Sequence, residues 1–417
     1  MSFKKIIQKS KDTQGSLEIT GSKSESNRAL ILSALFKNLS LKNISNSDDA
    51  NVLQRALLPS SPVIDIHHAG TAMRFLTAYF AVQEGTEVIL TGSSRMKERP
   101  IKILVDALRS LGANISYLEQ EGYPPLKIKG KNITTSKVEL SANVSSQYVT
   151  ALMLIAPSLP QGLEISLLQQ ITSMPYIEMT LKLLRQIGVK ANLIENKITV
   201  PHTNTIESQT FIIESDWSSA SYFYSIAALS SSADIILSNY KADSLQGDSV
   251  LSIYYKHFGV ETSFDYRNKR VRLIKKADFR LQRNNAKVDI QLNLVDSPDI
   301  AQTIAVTCLG LRISCRLTGL HTLKIKETDR LVALKTEMEK LGAAVDITKD
   351  QLTLHRVSNL RKDITIETYN DHRMAMAFAP MALKIPIQIN DANVVSKSYP
   401  DFWNDLKKLG FQYAEDE

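Results

Sequence analysis

Five times the chain repeats one phrase: an amphipathic helix ending in a bulky apolar residue and glycine, then a strand, a tight turn and a second strand. It reads "DALRSLGANISYLEQEGYPPLKIKG", "LLRQIGVKANLIENKITV", "YYKHFGVETSFDYRNKRVRLI", "EMEKLGAAVDITKDQLTLHRV" and, cut short at the end, "DLKKLGFQYAED". The glycines are Gly112, Gly188, Gly259, Gly342 and Gly410, separated by 76, 71, 83 and 68 residues. Glycine just past the last turn supplies the left-handed conformation that stops a helix, and "ENK" or "TKDQ" is turn chemistry between strands. A second helix type, polar at its start and apolar in its body, precedes each phrase: "KSESNRALILSAL", "GTAMRFLTAYFAV", "SSQYVTALMLIA", "SDWSSASYFYSIAAL", "SPDIAQTIAVTCL" and "NDHRMAMAFAPMAL". Beginning at Ser24, Thr71, Ser145, Asp216, Asp299 and Asp371, these lie 47, 74, 71, 83 and 72 residues apart. The period predicts six units of about 70 residues, each with two helices and several strands. The first is shorter. After its second helix, "DDANVLQRALL", the chain passes through "PSSP" to one strand, "VIDIHH", where the other units have a pair.

Two groups of three such units make two similar α/β domains, as a chain of 417 residues requires. The second helix type is apolar almost all round, which predicts burial inside each domain. Polar helix starts then gather at one face, where free N–H groups and the positive dipole end favour anions. The net charge of +7 also favours anionic partners. The basic residues form no block of five or six, so nucleic acid is not an expected partner. Cys308 and Cys315 lie in the apolar stretch "IAVTCLGLRISCRL" and are expected to be buried and reduced, with no Cys/His spacing that suits a metal. The start, "MSFKKIIQKSKDTQGS", has no apolar leader, and no run of 18 apolar residues occurs, so a cytoplasmic protein off the membrane is expected.

The charged and hydroxyl groups lie at the polar helix starts. Lys23, Ser24 and Arg28 open the first, and Arg74 follows "HAGTAM" in the second. "RMKERP" crowds charge into Arg95 to Pro100. Ser145, Ser146 and Gln147 open the third, with Ser173 and Tyr176 in "SMPYIEMT". Asp299 opens the fifth, His372 and Arg373 open the sixth, and Lys397 lies in "VVSKSYPDFW". "KIKETDRL" puts Lys324, Lys326, Glu327, Asp329 and Arg330 before Leu331, Leu334, Met338 and Leu341, which recur at helical spacing. Taken singly, each is also an ordinary helix cap, first-turn acid or solvated face. The repeat brings them together.

In order, "KSESNRA", "AGTAMR", "RMKERP", "VSSQ", "SMPYI", "KETDR" and "NDHRMAM" resemble the EPSP synthase (3-phosphoshikimate 1-carboxyvinyltransferase) family, from about Leu17 to the C-terminus. The resemblance implies a two-domain inside-out α/β barrel of six βαβαββ-type repeats, the first truncated. The N-terminal domain would span 21–214, and the C-terminal domain 1–20 with 215–417, with crossings near Ser22 and Ser215 and closure on substrate. It implies transfer of an enolpyruvyl group from phosphoenolpyruvate (PEP) to the 5-hydroxyl of shikimate 3-phosphate, through a tetrahedral intermediate, by a monomer without cofactor or metal. By motif, Ser24, Arg28, Ser145, Ser146, Gln147, Ser173, Tyr176 and Lys326 would hold shikimate 3-phosphate. Lys23, Gly70, Arg99, Gln147, Arg330, Arg373 and Lys397 would hold PEP. Asp299 would serve the 5-hydroxyl, Glu327 the methylene carbon, and Lys23 the departing phosphate.

Three departures from the family pattern stand out: His68 where asparagine is usual, Phe75 where proline is usual, and the short first unit, which removes none of the matched residues. The sister family acting on UDP-N-acetylglucosamine typically uses a loop cysteine, unlike the core positions expected for Cys308 and Cys315. A non-catalytic polyanion scaffold would gain by losing Asp299 and Glu327.

Overall fold

The computed structural model describes residues 3–7, 10–141, 146–168, 174–279 and 288–414. Its fold is mixed α/β, and the chain divides into two compact units, Gly21–Ile213 and Met1–Thr20 with Glu214–Glu417.

In Gly21–Ile213 one sheet runs Val63–Asp65, Glu87–Thr91, Leu126–Lys129, Asn114–Tyr117, its first pair parallel and the rest antiparallel. A second repeats the pattern with Lys137–Ser141, Leu163–Leu168, Lys197–Val200 and Asn192–Ile194. The third has two strands, Leu39–Lys42 parallel to Gln209–Ile212, so the last strand of the unit pairs with its first. This refines the sequence reading of "VIDIHH". Val63–Asp65 is the opening strand of the next sheet, so the short stretch has lost both strands of its pair. The Asp48–Ala56 helix and the residues after it line an open groove of about 1070 Å³, with Arg55, Leu58, Val63 and His67 on its wall.

The unit containing both termini has three four-stranded sheets of the same pattern. They are Asp12–Leu17, Ser232–Ser238, Arg270–Lys275, Glu261–Asp265; then Ile290–Asn293, Cys315–Thr318, Leu352–Leu354, Val345–Ile347; and finally Thr365–Ile366, Ile387–Asn390, Phe3–Ile7, Gln412–Ala414. The chain's first two strands thus belong here.

Each unit packs around its all-round apolar helices. Lys23–Leu35, Gly70–Ala81 and Ser146–Ile155 serve one core, and Trp217–Leu229, Ala301–Leu311 and His372–Phe378 the other. Small residues let these helices approach closely: a Cβ on Gly310 would stand 2.6 Å from Leu229 Cδ2. Hydroxyl pairs stitch the same two helices, Ser221 to Thr303 at 3.0 Å and Ser225 to Thr307 at 2.9 Å. Such pairing spares the buried hydroxyls the cost of lost hydration. The five phrase-ending glycines all take positive φ, from 81° to 104°, as their role as helix stops requires.

Candidate active site

Side chains suited to anion chemistry cluster once in each unit. In Gly21–Ile213, Ser22 caps the Lys23–Leu35 helix, its hydroxyl accepting from the Glu25 N–H. One turn in, Arg28 is 3% exposed. Its Nε donates to Thr180 Oγ1 at 2.9 Å, its Nη1 to Ser24 O at 2.7 Å and its Nη2 to Tyr176 O at 3.4 Å. The rings of Phe75 and Tyr176 each lie 5.7 Å from the guanidinium carbon. Phe75, the departure from the family pattern, is therefore part of the wall that holds Arg28. Burial lowers the Arg28 pKa to about 10, so the group stays cationic at neutral pH. Among the described residues no carboxylate forms an ion pair with it. Two ring contacts return about 1–2 kcal/mol, while a desolvated charge costs several. An anion at this place would make good the difference.

Arg74 is similarly buried. It donates to Gly70 O and Pro100 O at 3.1 Å each, and its pKa is lowered to about 10 by burial and then by Arg99. It thereby fixes the backbone on both sides of Arg99. A Cβ on Gly70 would fall 2.5 Å from Arg99 Nη1, so the guanidinium lies against a bare helix start. Gln147 Nε2 donates to Thr71 Oγ1 at 3.3 Å, joining the starts of the second and third core helices. Ser146 is buried at the first residue of its helix. Lys23 Nζ stands 3.4 Å from Asp49 Oδ2, whose other oxygen is 3.7 Å from His68 Nε2. Ser145 and Ser173 lie outside the described residues.

The cluster in the other unit is built on Arg330, 2% exposed. Nε donates to Asp371 at 2.6 Å, Nη1 to Asp299 at 2.9 Å and Nη2 to Glu327 at 2.7 Å. Burial alone would lower its pKa. The charges of Asp371, Glu327 and Asp299 outweigh burial and hold the guanidinium above its ordinary range. Arg373 shows the same balance and is held well above its ordinary value, chiefly by Asp299 against burial. Its Nη2 lies 3.2 Å from Asp299 Oδ2, and Nη1 donates to Asp299 O at 3.2 Å. Its Nε is buried and makes no hydrogen bond among the described residues. Lys326 Nζ is 3.6 Å from Asp299 Oδ1, and Lys397 Nζ donates to Asn370 O at 2.7 Å.

Two sequence expectations are adjusted by the local backbone. "KIKETDRL" only partly opens its helix: His321–Ile325 is a 3₁₀ turn, and the α-helix begins at Arg330 under the Asp329 cap, leaving Lys326 and Glu327 ahead of it. The cap oxygen accepts from Leu331 and Val332 N–H, consistent with a structural Asp329. Asp299 stands in the Pro298–Ile300 3₁₀ turn, which runs directly into its helix at Ala301. Sequence reasoning gave no role to Asp49, Asp371 as an Arg330 partner, Ser218 or Asp248. Asp49 and Asp371 had a signal, each being an acid at a helix start; Asp248 had none. Both cysteines are fully buried, and burial raises the Cys308 thiol well above its usual range, which removes it as an acid at neutral pH. No helix among the described residues is long and apolar enough to cross a membrane.

The family model for EPSP synthase (3-phosphoshikimate 1-carboxyvinyltransferase) matches residues 51–406. A 3-phosphoshikimate 1-carboxyvinyltransferase of Bacteroides fragilis is 46% identical over 403 residues, covering 95% of this chain and 96% of that one. One from Haemophilus influenzae is 36% identical over 430 residues with the same coverage. The solved EPSP synthase of Acinetobacter baumannii superposes with a TM-score of 0.80 over 100% of both chains at 19% identity, a likeness of fold.

Proposed function

The chain belongs to the EPSP synthase family, and we propose how its two clusters divide that family's reaction. The enzyme transfers the enolpyruvyl group of PEP to the 5-hydroxyl of shikimate 3-phosphate, a step toward the aromatic amino acids. A bond forms between the 5-oxygen and C2 of PEP, and the C2–O bond to phosphate breaks. The hydroxyl proton is lost, and the methylene carbon gains one proton and returns one. The products are 5-enolpyruvylshikimate 3-phosphate and phosphate.

In our reading shikimate 3-phosphate is held by Ser24, Arg28, Ser145, Ser146, Gln147, Ser173 and Tyr176, with Lys326. PEP is held by Lys23, Gly70, Arg99, Gln147, Arg330, Arg373 and Lys397. Asp299 takes the hydroxyl proton and Glu327 exchanges the methylene proton. Lys23, beside Asp49, delivers a proton to the departing phosphate. The observation that carries this reading is the triple pairing of Arg330, which fixes two candidate proton-transfer carboxylates, Asp299 and Glu327, on one immobile guanidinium. Each Arg330 nitrogen already donates to a carboxylate, so PEP would compete with those carboxylates for the guanidinium. Glu327, with its side chain 31% exposed, is the one placed to move. Exchange would release Glu327 toward the methylene as the substrate seats. We further take the fold to be six βαβαββ repeats in two inside-out domains, acting as a cytoplasmic monomer that does not bind nucleic acid.

The test is phosphate release from PEP and shikimate 3-phosphate together, from each alone, and from PEP with UDP-N-acetylglucosamine, all in EDTA. Release only from the shikimate pair is expected. Release with the sugar nucleotide, or none in any tube, would overturn the reading.

A further inference from the structure

Asp248 lies in a 3₁₀ turn, Gly247–Val250, that is tied to the Trp217–Leu229 helix. Gln246 Oε1 accepts from Trp217 N–H at 2.9 Å and its Nε2 donates to Ser215 O at 3.0 Å, so the turn and the helix start move as one piece. From that helix the Ser218 hydroxyl donates to Asp248 Oδ2. Ser218 Oγ also accepts from Arg373 Nη2 at 3.4 Å, and Arg373 Nη2 stands 3.2 Å from Asp299 Oδ2. Asp248 is therefore the far end of a chain running through half-buried Ser218 and buried Arg373 to Asp299.

The residue is 6% exposed, and among the described residues no lysine or arginine forms an ion pair with it. A buried carboxylate without a cation is expensive in its charged form. The charged groups that bear on it are Asp299, Arg373 and Asp216, from the three elements around it. Burial first, then Asp299, push its pKa up; Arg373 and the Ser218 hydroxyl pull it down, and the balance lies at about 7. Arg373 Nε, which makes no hydrogen bond among the described residues, offers a donor to a ligand anion. Such an anion would draw on the same guanidinium that now tempers Asp248.

We propose that Asp248 is a positioning residue that takes up one proton from solvent as an anionic substrate seats against Arg373, and returns it on release. Proton uptake leaves Arg373 to the incoming anion and spares the site an additional buried negative charge. The inference rests on the reading that Arg373 holds PEP, and the experiment separates the two.

The measurement is kcat/KM for PEP from pH 6 to 9 in the full-length enzyme, wild type beside Asp248→Asn, Ser218→Ala and Arg373→Gln. PEP's own ionisation is common to all and cancels in the ratios. Asp248→Asn, which imitates the protonated form, should lose one inflection near neutrality and gain about three- to tenfold over wild type at the alkaline end. Its kcat at acid pH should stay within about threefold. Ser218→Ala, which removes a donor to the carboxylate, should move the inflection to higher pH. An unchanged inflection in both variants overturns the inference. Should Asp248→Asn not fold, Ser218→Ala alone decides, and an unmoved inflection there refutes it. If Arg373→Gln leaves KM for PEP unchanged, the underlying assignment fails instead.

Discussion

Arg28 and Arg330 are both buried guanidiniums at the start of a helix, yet they are balanced in opposite ways. Arg28 is walled by two aromatic rings and neutral oxygens, and burial depresses its pKa to about 10. Arg330 meets three carboxylates and is held above its ordinary range. A buried cation left without a counter-charge is arranged to receive one, and the cost of its burial becomes affinity for an anion. A buried cation already paired with carboxylates yields to a further anion only in competition with them, and it fixes those carboxylates in place. On the proposed reading the first cluster chiefly holds negative charge, while the second couples anion binding to groups that can exchange protons.

The broadest way to break that comparison is to remove each guanidinium in turn. Arg330→Met strands Asp371, whose side chain is fully buried, while Asp299 keeps Arg373 and Lys326. A loss of about 3–5 kcal/mol of stability is expected, lowering the melting temperature by roughly 10 °C. Arg28→Met strands no ion-paired carboxylate. It should leave the melting temperature within about 3 °C while raising KM for shikimate 3-phosphate about a hundredfold or more. Calorimetric melts and steady-state kinetics on the pair decide it, and equal destabilisation would dissolve the distinction. Glu327→Gln comes next. It keeps an acceptor beside Arg330 but cannot exchange a proton, so kcat should fall about 10²- to 10⁴-fold with KM values little changed. A large change in KM with kcat preserved would make Glu327 a binding group and undo the proposed role of its cluster.

How much of this contrast was legible beforehand follows from distance along the chain. The helix-ending glycines recur within a local phrase, and each has the positive φ expected of it. The crowding of Lys326, Glu327 and Arg330 is visible because those residues are neighbours. The partners that give Arg330 its character, Asp299 and Asp371, lie 31 and 41 residues away and meet it only through folding. Phe75 looked like a bare departure until the fold laid its ring beside Arg28, which is 47 residues earlier. Asp248 sits in "LQGDSV", with no charge beside it to draw notice. The sheet that "VIDIHH" joins is not legible, because an isolated apolar run carries no label saying which sheet it belongs to. Local periodicity reveals elements and helix ends; ion-pair partners and sheet membership are decided by contacts it does not encode.

Two smaller changes sharpen the picture of the anion-holding cluster. Gly70→Ala puts a methyl 2.5 Å from Arg99 Nη1. The far end of a flexible side chain can give way, so overpacking should cost only about 1–2 kcal/mol. The expected result is a rise of roughly ten- to thirtyfold in KM for PEP with stability lowered by no more than that cost. A normal KM would show that Arg99 need not occupy this place to bind PEP.

The least effect is expected from His68→Asn, which restores the usual family residue. His68 is 3.7 Å from Asp49, whose other oxygen faces Lys23, so the imidazole meets Lys23 through a shared carboxylate. Its side chain is 39% exposed and water screens it, which limits such a pair to about 0–1 kcal/mol. The substitution should therefore change kcat and KM for PEP by no more than about fivefold. A larger effect would mean that Asp49 is not simply a counter-charge for Lys23. The anion-holding cluster would then contain a proton-transfer carboxylate of its own, and the division between the two clusters would have to be redrawn.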